Sequence, residues 1–190
     1  MILYFIVLCI GIHCLKKSKY PVVGIWDADI IVEYWQIEEA VRRVVEGDSV
    51  LCLPYNGVVK ALSSKASQEY ARCGRTVLWT RHPKEAIRLM GRPSTGGAVL
   101  MNRIIYLSCG GENKNFYGWG PEDAERVHRV EILGYSVSWV SGGPLFHLYH
   151  PRSYNSWYIS EEQGVKNRNE FVRVCNMSRQ ELEEYILSWK

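Results

Sequence analysis

The sequence predicts one α/β domain in which strands alternate with helices. Short apolar segments rich in β-branched residues are separated by stretches of helical periodicity, the pattern of elements that share one core. A length of 190 residues suits a single domain, and 47% hydrophobic with 23% charged residues is ordinary globular usage. The net charge of +3 is too small to indicate a nucleic-acid partner, so that class is set aside.

The first strand, helix and strand have the clearest patterns. Val22–Trp26 is a short apolar run after a proline, which predicts a buried strand. Residues 36–46 then carry apolar side chains at helical spacing, and Gly47 supplies a stop signal. Ser49–Leu53 is typical of the next strand, so this part of the chain is predicted to be a strand-helix-strand unit.

Weaker patterns predict the remaining elements. We expect helical pieces around Ala66–Ala71 and Lys84–Met90, and a strand at Ala98–Met101 after two glycines. The last three elements are a helix at Pro121–Leu133, a strand at Tyr135–Val140 and a C-terminal helix opened by a capping box of Ser178 and Glu181.

The N-terminal run Met1–Ile12 is almost entirely apolar. A membrane-spanning helix needs about 20 apolar residues, and a signal peptide carries its positive charge before the apolar run rather than after it. We interpret the run as a buried strand or helix, with a membrane segment as the less favoured alternative. The six cysteines form no C-x-x-C pair, which favours a reducing compartment. We therefore expect a cytoplasmic location, with a membrane-peripheral one as the alternative.

Two segments offer ligands for a metal ion. Asp27 and Asp29 end the first predicted strand one residue apart, where both carboxylates can approach one divalent cation. His147 and His150 lie three residues apart in an aromatic stretch, and a neutral imidazole is a natural further ligand. The alternatives are turn-forming acids and packed histidines, and for each segment taken alone the alternative is favoured.

A third segment, F-Y-G-W-G-P-E-D at residues 116–123, combines glycines, aromatic rings and acids. Its glycines allow a ligand close to the backbone, and the start of the predicted helix favours ionised Glu122 and Asp123, which could then accept a proton. Acids are common in a first helical turn without any such role. Seven Trp and twelve Tyr in the chain suit stacking on sugar faces, as well as a well-filled core.

Together and in this order, the segments resemble the galactosyltransferase-type glycosyltransferases of the GT-A fold. The run from the glycine pair Gly96 and Gly97 to Asp123 resembles the signature that lines their acceptor site. Residues 22–31 look like their strand and D-x-D element, and residues 147–150 like their metal-histidine segment. The resemblance covers about Gly11 to Arg152 and implies a GT-A-like nucleotide-diphospho-sugar transferase fold, with a mixed sheet flanked by helices.

The resemblance also implies a metal site. Asp27 and Asp29 correspond to the D-x-D acids, with Asp29 as the direct ligand of Mn²⁺, or another divalent cation, on a nucleotide-sugar diphosphate. His150 would complete the site. It is preferred to His147 because it precedes a basic residue, Arg152, as the family histidine does.

For the substrates, the resemblance implies a sugar donor, most simply a UDP-sugar of the galactose or N-acetylhexosamine class, and a glycan acceptor. Trp119 and Gly120 would line the sugars, Glu122 would hydrogen-bond acceptor hydroxyls, and Asp123 would be the catalytic base. The glycine pair would let the donor sugar lie against the backbone. One base and a metal-neutralised leaving group support direct displacement, so the product would be inverted.

The chain departs from the family at its start. Only residues 1–21 precede the D-x-D element, so they are interpreted as the remnant of an incomplete N-terminal nucleotide-binding half. Residues 22–152 would hold the metal, donor and acceptor sites, and residues 153–190 a C-terminal helical extension. An incomplete sheet exposes an edge, which favours self-association or a partner subunit.

Two other functions were weighed against a glycosyltransferase. The first is a catalytically inactive, truncated glycosyltransferase-like domain that binds a sugar or a protein partner. The second is a metal-dependent hydrolase that uses the same acids and histidines; no resemblance supports it.

Overall fold

The structure is a computed structural model that describes residues 7–8, 12–74, 87–88, 93–151 and 159–189. The described strands are β1 Val7–Leu8, β2 Val22–Trp26, β3 Ile30–Ile31, β4 Leu51–Leu53, β5 Val59–Ala61, β6 Ile87–Arg88, β7 Ala98–Asn102, β8 Val137–Trp139 and β9 Leu145–His147. The described helices are α1 Ile12–Lys17, α2 Tyr34–Glu46, α3 Ser64–Cys73, α4 Arg103–Ser108, α5 Glu122–Ile132, α6 Glu161–Cys175 and α7 Arg179–Leu187.

Five of the described strands form a mixed sheet in the order β1-β2-β7-β4-β8. β7 runs antiparallel to β2 and β4, whereas β1 is parallel to β2 and β8 is parallel to β4. The centre of this sheet is buried on both faces, with Val23, Leu51 and Leu100 fully inaccessible to solvent. Such continuous apolar runs are typical of a sheet that is covered on both sides.

A second, smaller sheet has the order β3-β9-β5-β6 among the described strands. β3 begins shortly after β2 ends and pairs antiparallel with β9, which places Ile30 opposite His147. The three residues 27–29 therefore carry the chain from the first sheet to the second. The D-x-D acids lie at this junction.

Helices cover the first sheet and close the C-terminal side. α2 buries Ala40, Val41 and Val44 against Val22 and Leu100 of the sheet. α5 packs against α6 and α7, with an apolar cluster formed by Cys109, Leu133, Val174, Leu182 and Ile186. Within the described part of the chain, no helix is long and apolar enough to cross a membrane.

The predicted α/β class with a mixed sheet flanked by helices is confirmed. β2 has the predicted bounds, and the predicted helix at Pro121–Leu133 is α5. The helix expected at Lys84–Met90 is wrong at residues 87–88, which pair with β5 as a strand; the other residues of that helix lie outside the described ones. Of the N-terminal apolar run, residues 7–8 form β1 and Ile12 begins α1, while the others lie outside the described residues.

Candidate functional site

The two D-x-D acids are held by different sheets. The backbone N–H of Asp27 donates to Gly97 O over 2.8 Å, which ties Asp27 to the residue just before β7 begins. The carbonyl of Asp29 instead accepts from the N–H of Leu148 over 2.8 Å, just beyond β9. The turn thus presents Asp27 toward the glycine pair and Asp29 toward the histidine segment.

Asp29, His147 and His150 form one compact group. Asp29 Oδ2 lies 3.3 Å from His150 Nε2 and 3.6 Å from His147 Nε2, and the two rings are 5.3 Å apart. All three side chains are partly exposed, so a ligand can reach them from solvent. Among the described residues, this is the one group of three or more metal-ligating side chains whose ligand atoms lie within 4.8 Å of one another.

The hydrogen bonds of the two rings favour a cation. Nδ1 of His147 lies 2.8 Å from Leu148 O, and Nδ1 of His150 lies 3.2 Å from Pro151 O. A carbonyl oxygen only accepts, so a neutral ring carries its proton on Nδ1 and turns the lone pair of Nε2 toward Asp29. Two imidazole nitrogens and a carboxylate are a donor set that suits Mn²⁺ and similar divalent ions. These residues therefore fit the implied metal.

The sequence analysis also assigned Asp27 to the metal site, but Asp27 is not a member of this compact group. It lies instead among carboxylates. Burial, together with the charges of Asp123 and Asp29, raises the pKa of Asp27 to about 6 against the opposing effects of His147 and Arg126. His147 was ranked below His150 from the sequence, but it is also a member of the group, with its Nε2 3.6 Å from Asp29 Oδ2. The H-x-x-H spacing was the sequence feature that indicated both histidines.

Asp123 lies in the first turn of α5 and is fixed from two sides. Its Oδ1 accepts a 2.5 Å hydrogen bond from Arg126, one turn along the helix. Its Oδ2 lies over Gly96, where a Cβ would come within 2.6 Å of it. The carbonyl of Gly96 accepts in turn from the Tyr55 hydroxyl over 2.6 Å. Gly96 therefore makes room for the Asp123 carboxylate.

Gly97 is required for a different reason. Its φ of +89° is in the left-handed region, and a Cβ there would lie 2.9 Å from Leu145 Cδ1. The sequence analysis expected both glycines to accommodate the donor sugar. In the structure, the Cβ positions of Gly96 and Gly97 face Asp123 and Leu145 respectively, so packing within the chain already accounts for both glycines.

Glu122 carries an unsatisfied polar atom. Its Oε2 is buried without a hydrogen-bond partner, which is unusual for a native side chain. Burial and, to a smaller extent, the neighbouring charge of Asp123 together raise the pKa of Glu122 to about 7. At neutral pH the group is therefore divided between a form that donates and a form that only accepts. A ligand hydroxyl is a suitable partner for both.

Sequence reasoning missed the support behind Asp123. The Arg126 guanidinium is 5% exposed and contacts Glu112 Oε2 at 2.9 Å as well as the Tyr106 hydroxyl at 3.1 Å. Burial alone would raise the pKa of Glu112, but Arg126 outweighs it and holds that pKa below the usual range. The i,i+3 spacing of Asp123 and Arg126 was a visible signal, whereas nothing in the sequence pointed to Glu112.

Trp119 and Gly120 lie in the loop that leads into α5. Trp119 is 43% exposed, so part of the residue faces solvent. The loop backbone is held by Asn167, a fully buried side chain of α6 that the sequence analysis did not single out.

Comparisons with known proteins show similarity in the fold and in one segment of the sequence. The family model described as the N-terminal domain of galactosyltransferase matches residues 81–151. Among solved structures, a crystal structure of GalNAc-T7 with UDP, GalNAc and Mn²⁺ superposes with a TM-score of 0.53 at 15% identity. That match covers 90% of this chain and 34% of the other, so this chain spans about a third of its length. A search of curated proteins gives no significant match.

The fold and the sequence match define the class. The architecture is a GT-A glycosyltransferase fold, and the resemblance to the galactosyltransferase type is confirmed. Residues 81–151 are the galactosyltransferase-type segment, which contains the glycine pair, the G-W-G-P-E-D run and both histidines.

Proposed function

We propose that this domain is a metal-dependent, inverting glycosyltransferase. It moves a sugar of the galactose or N-acetylhexosamine class from a nucleoside diphosphate, most simply UDP, to a glycan acceptor. The observation that carries the proposal is the junction of the two sheets, where the group of Asp29, His147 and His150 adjoins the acids Asp27 and Asp123. GalNAc-T7, which has the same fold, was crystallised with UDP, GalNAc and Mn²⁺.

Asp29, His147 and His150 would hold the cation, with Asp27 as a second carboxylate nearby. When bound, Mn²⁺ or another divalent ion neutralises charge on the departing diphosphate. The partial exposure of the three ligands leaves room for phosphate oxygens beside them. In this arrangement the donor lies over Asp29, and the acceptor approaches from the side of α5.

Asp123 is the proposed catalytic base. It takes the proton of the acceptor hydroxyl while that oxygen forms a bond to the anomeric carbon and the bond from that carbon to the diphosphate oxygen breaks. A single displacement of this kind inverts the anomeric configuration and needs no covalent intermediate. Arg126 keeps Asp123 oriented. The unpartnered Oε2 of Glu122 hydrogen-bonds an acceptor hydroxyl, and Trp119 and Gly120 line the acceptor site.

Calorimetric titration with UDP, with and without Mn²⁺, tests the donor site. We expect binding that depends on Mn²⁺, with a micromolar Kd or about −8 kcal/mol. Asp29→Asn should weaken Mn²⁺ binding about 100-fold, because it replaces the central ligand of the group. Asp48→Asn is the control, since Asp48 is an exposed acid just beyond α2 that pairs with Arg42, away from the group of Asp29, His147 and His150. Equal affinities in the two variants would overturn the metal assignment.

Release of UDP from a panel of UDP-sugars with monosaccharide acceptors tests the reaction. Asp123→Asn should lower kcat by about 10² to 10⁴ while UDP binding is retained. NMR of the product during turnover should show an anomeric configuration opposite to that of the donor. A retained configuration would contradict the single displacement.

Two further expectations about the whole chain remain proposals. Self-association or a partner subunit at the open edge of the first sheet is tested by light scattering coupled to size-exclusion chromatography. A cytoplasmic location, or the alternative of a peripheral membrane position, is tested by fractionation of cells that express the chain.

A further inference from the structure

One buried side chain holds the loop that carries Trp119. Asn167 of α6 is fully buried, and its Nδ2 donates to Tyr117 O and to Trp119 O, each over 3.0 Å. Its Oδ1 accepts from the N–H of Tyr117 over 3.4 Å and from Gln163 Nε2 over 2.8 Å. Both amide N–H groups and the carbonyl of Asn167 are therefore used, three of the four bonds going to the loop backbone.

Gly120 lets the loop come this close to the helix. A Cβ on Gly120 would lie 2.7 Å from Asn167 Nδ2 and 3.1 Å from Asn167 Cβ. The backbone of Gly120 is not in the left-handed region, so the need for glycine comes from this contact and not from backbone strain. The Asn167 amide therefore occupies the space that a side chain at position 120 would need.

The same face of α6 holds the beginning of the loop through a second buried residue. Glu170, one turn beyond Asn167, accepts from Asn113 over 2.8 Å and from Asn115 over 3.2 Å. The Tyr185 hydroxyl of α7 donates to the same carboxylate over 2.8 Å. Residues 113–120 are therefore attached at both ends to a helix that lies outside the segment matched by the family model.

We propose that Asn167 is a positioning residue of the acceptor site. By fixing the carbonyls on both sides of Gly118, it sets where the Trp119 ring lies relative to Glu122 and Asp123, two and three residues beyond the loop. The predicted C-terminal extension, which includes α6, then helps to position the residues of the acceptor site. This inference rests on the proposed function for its connection to sugar, but the loop contact is testable without it.

Fluorine NMR of the chain labelled with 5-fluorotryptophan is the first test. The Trp119 signal is assigned with Trp119→Phe. Asn167→Asp keeps the size of the side chain but turns an oxygen toward two carbonyl oxygens, so the Trp119 signal should shift or broaden while most of the other six tryptophan signals stay in place. Asn176→Asp is the matched control: it is an exposed amide at the end of the same helix, bonded only to Val172 O. An unchanged Trp119 signal in folded Asn167→Asp overturns the proposal.

A double-mutant cycle gives a second test that does not depend on one variant folding well. Gly120→Ala should destabilise the chain because its methyl group collides with Asn167, and Asn167→Ala should remove the closest contact, which is 2.7 Å from Nδ2, while the contact of 3.1 Å with Cβ stays. The cost of Gly120→Ala is therefore expected to fall when Asn167 is already alanine, with a coupling equivalent to about tenfold in the unfolding equilibrium. Additive effects would show that the contact is absent.

Steady-state kinetics then separates a positioning role from general stability. In the UDP-release assay, Asn167→Asp should raise the acceptor KM about tenfold and leave the Kd for UDP and Mn²⁺ unchanged. A change in donor affinity with the acceptor KM intact would overturn the positioning role. If no UDP-sugar is turned over by the parent chain, the proposed function fails, whereas the Trp119 signal and the cycle still decide whether Asn167 fixes the loop.

Discussion

The raised pKa of Glu122 makes the stability of the domain depend on pH. With a pKa of about 7 in the folded chain against an ordinary 4.5, the folded state binds more protons than the unfolded state between these values. Stability therefore falls as pH rises from about 4.5 to 7, because unfolding releases the carboxylate into water. This sign is the opposite of the usual one for an ion-paired acid.

We expect Glu122→Gln to be more stable than the parent chain above about pH 7, by about 1 to 3 kcal/mol, because the amide removes the buried charge. The difference should shrink toward acid pH. Urea denaturation across the pH range measures it. Glu38→Gln, a change of an exposed acid in the middle of α2, is the control. A stability difference that is independent of pH would contradict the shifted titration.

Arg126 supports two acids at once, so its loss should be costly. We expect Arg126→Met to lower the free energy of unfolding by about 3 kcal/mol, since the Arg126 side chain is 5% exposed and is the shared partner of the partly exposed Asp123 and Glu112. Arg42→Met is the control, because the Arg42 side chain is itself 46% exposed where it pairs with Glu39 and Asp48; it should cost less than about 1 kcal/mol. Equal losses by denaturant titration would show that the Arg126 pairs are no stronger than surface pairs.

At this scale, sequence identifies residues whose chemistry is visible locally. Asp29, Glu122 and Asp123 stand in short motifs, and the structure places all three at the junction. Glu112 and Asn167 could not be found in this way, because their roles exist only after distant segments pack together. His147 lay between these cases: its spacing to His150 was visible, but no local rule made both rings neighbours of Asp29.

At the scale of elements, Gly97 shows how the turn before β7 is specified. Gly97→Ala combines left-handed strain of about 1 kcal/mol with a clash against Leu145 of about 1 to 3 kcal/mol more. Gly47→Ala is a close match, because Gly47 has φ +85° at the end of α2 and open space around its Cβ position. In thermal or urea denaturation, Gly97→Ala should therefore be clearly less stable than Gly47→Ala. Equal losses of stability in the two variants would exclude the clash with Leu145.

Elements with long periodic patterns were predictable, whereas the two short strands that meet beside the site, β3 and β9, were not. α2 and α5 carry several apolar positions and clear end signals, and both were identified. β3 and β9 have two and three residues, too few for a period to show, so their pairing could not be anticipated. The bounds of α6 were not predicted within the C-terminal helical extension, although Ser160 and Gln163 are spaced as a helix start; the Ser160 side chain does accept from the N–H of Gln163.

At the scale of the whole molecule, the cation should stabilise the fold. An ion that binds only the folded chain adds about 2.7 kcal/mol at one hundred times its Kd, or about 5 to 10 °C in Tm for a chain of this size. We expect Mn²⁺ to raise Tm in the parent chain and in Asp48→Asn but not in Asp29→Asn. Excess chelator should reverse the rise, and a rise that persists in Asp29→Asn would place the ion elsewhere.

The antiparallel pairing of β3 with β9 has a consequence for assembly. Asp29 and the histidines are more than a hundred residues apart in the sequence, so they meet only after synthesis has passed residue 150. Side chains alternate along a strand, and a slip of one residue would therefore turn His147 to the opposite face. A bound cation would consequently favour the register in which Ile30 lies opposite His147 over misaligned forms of the chain.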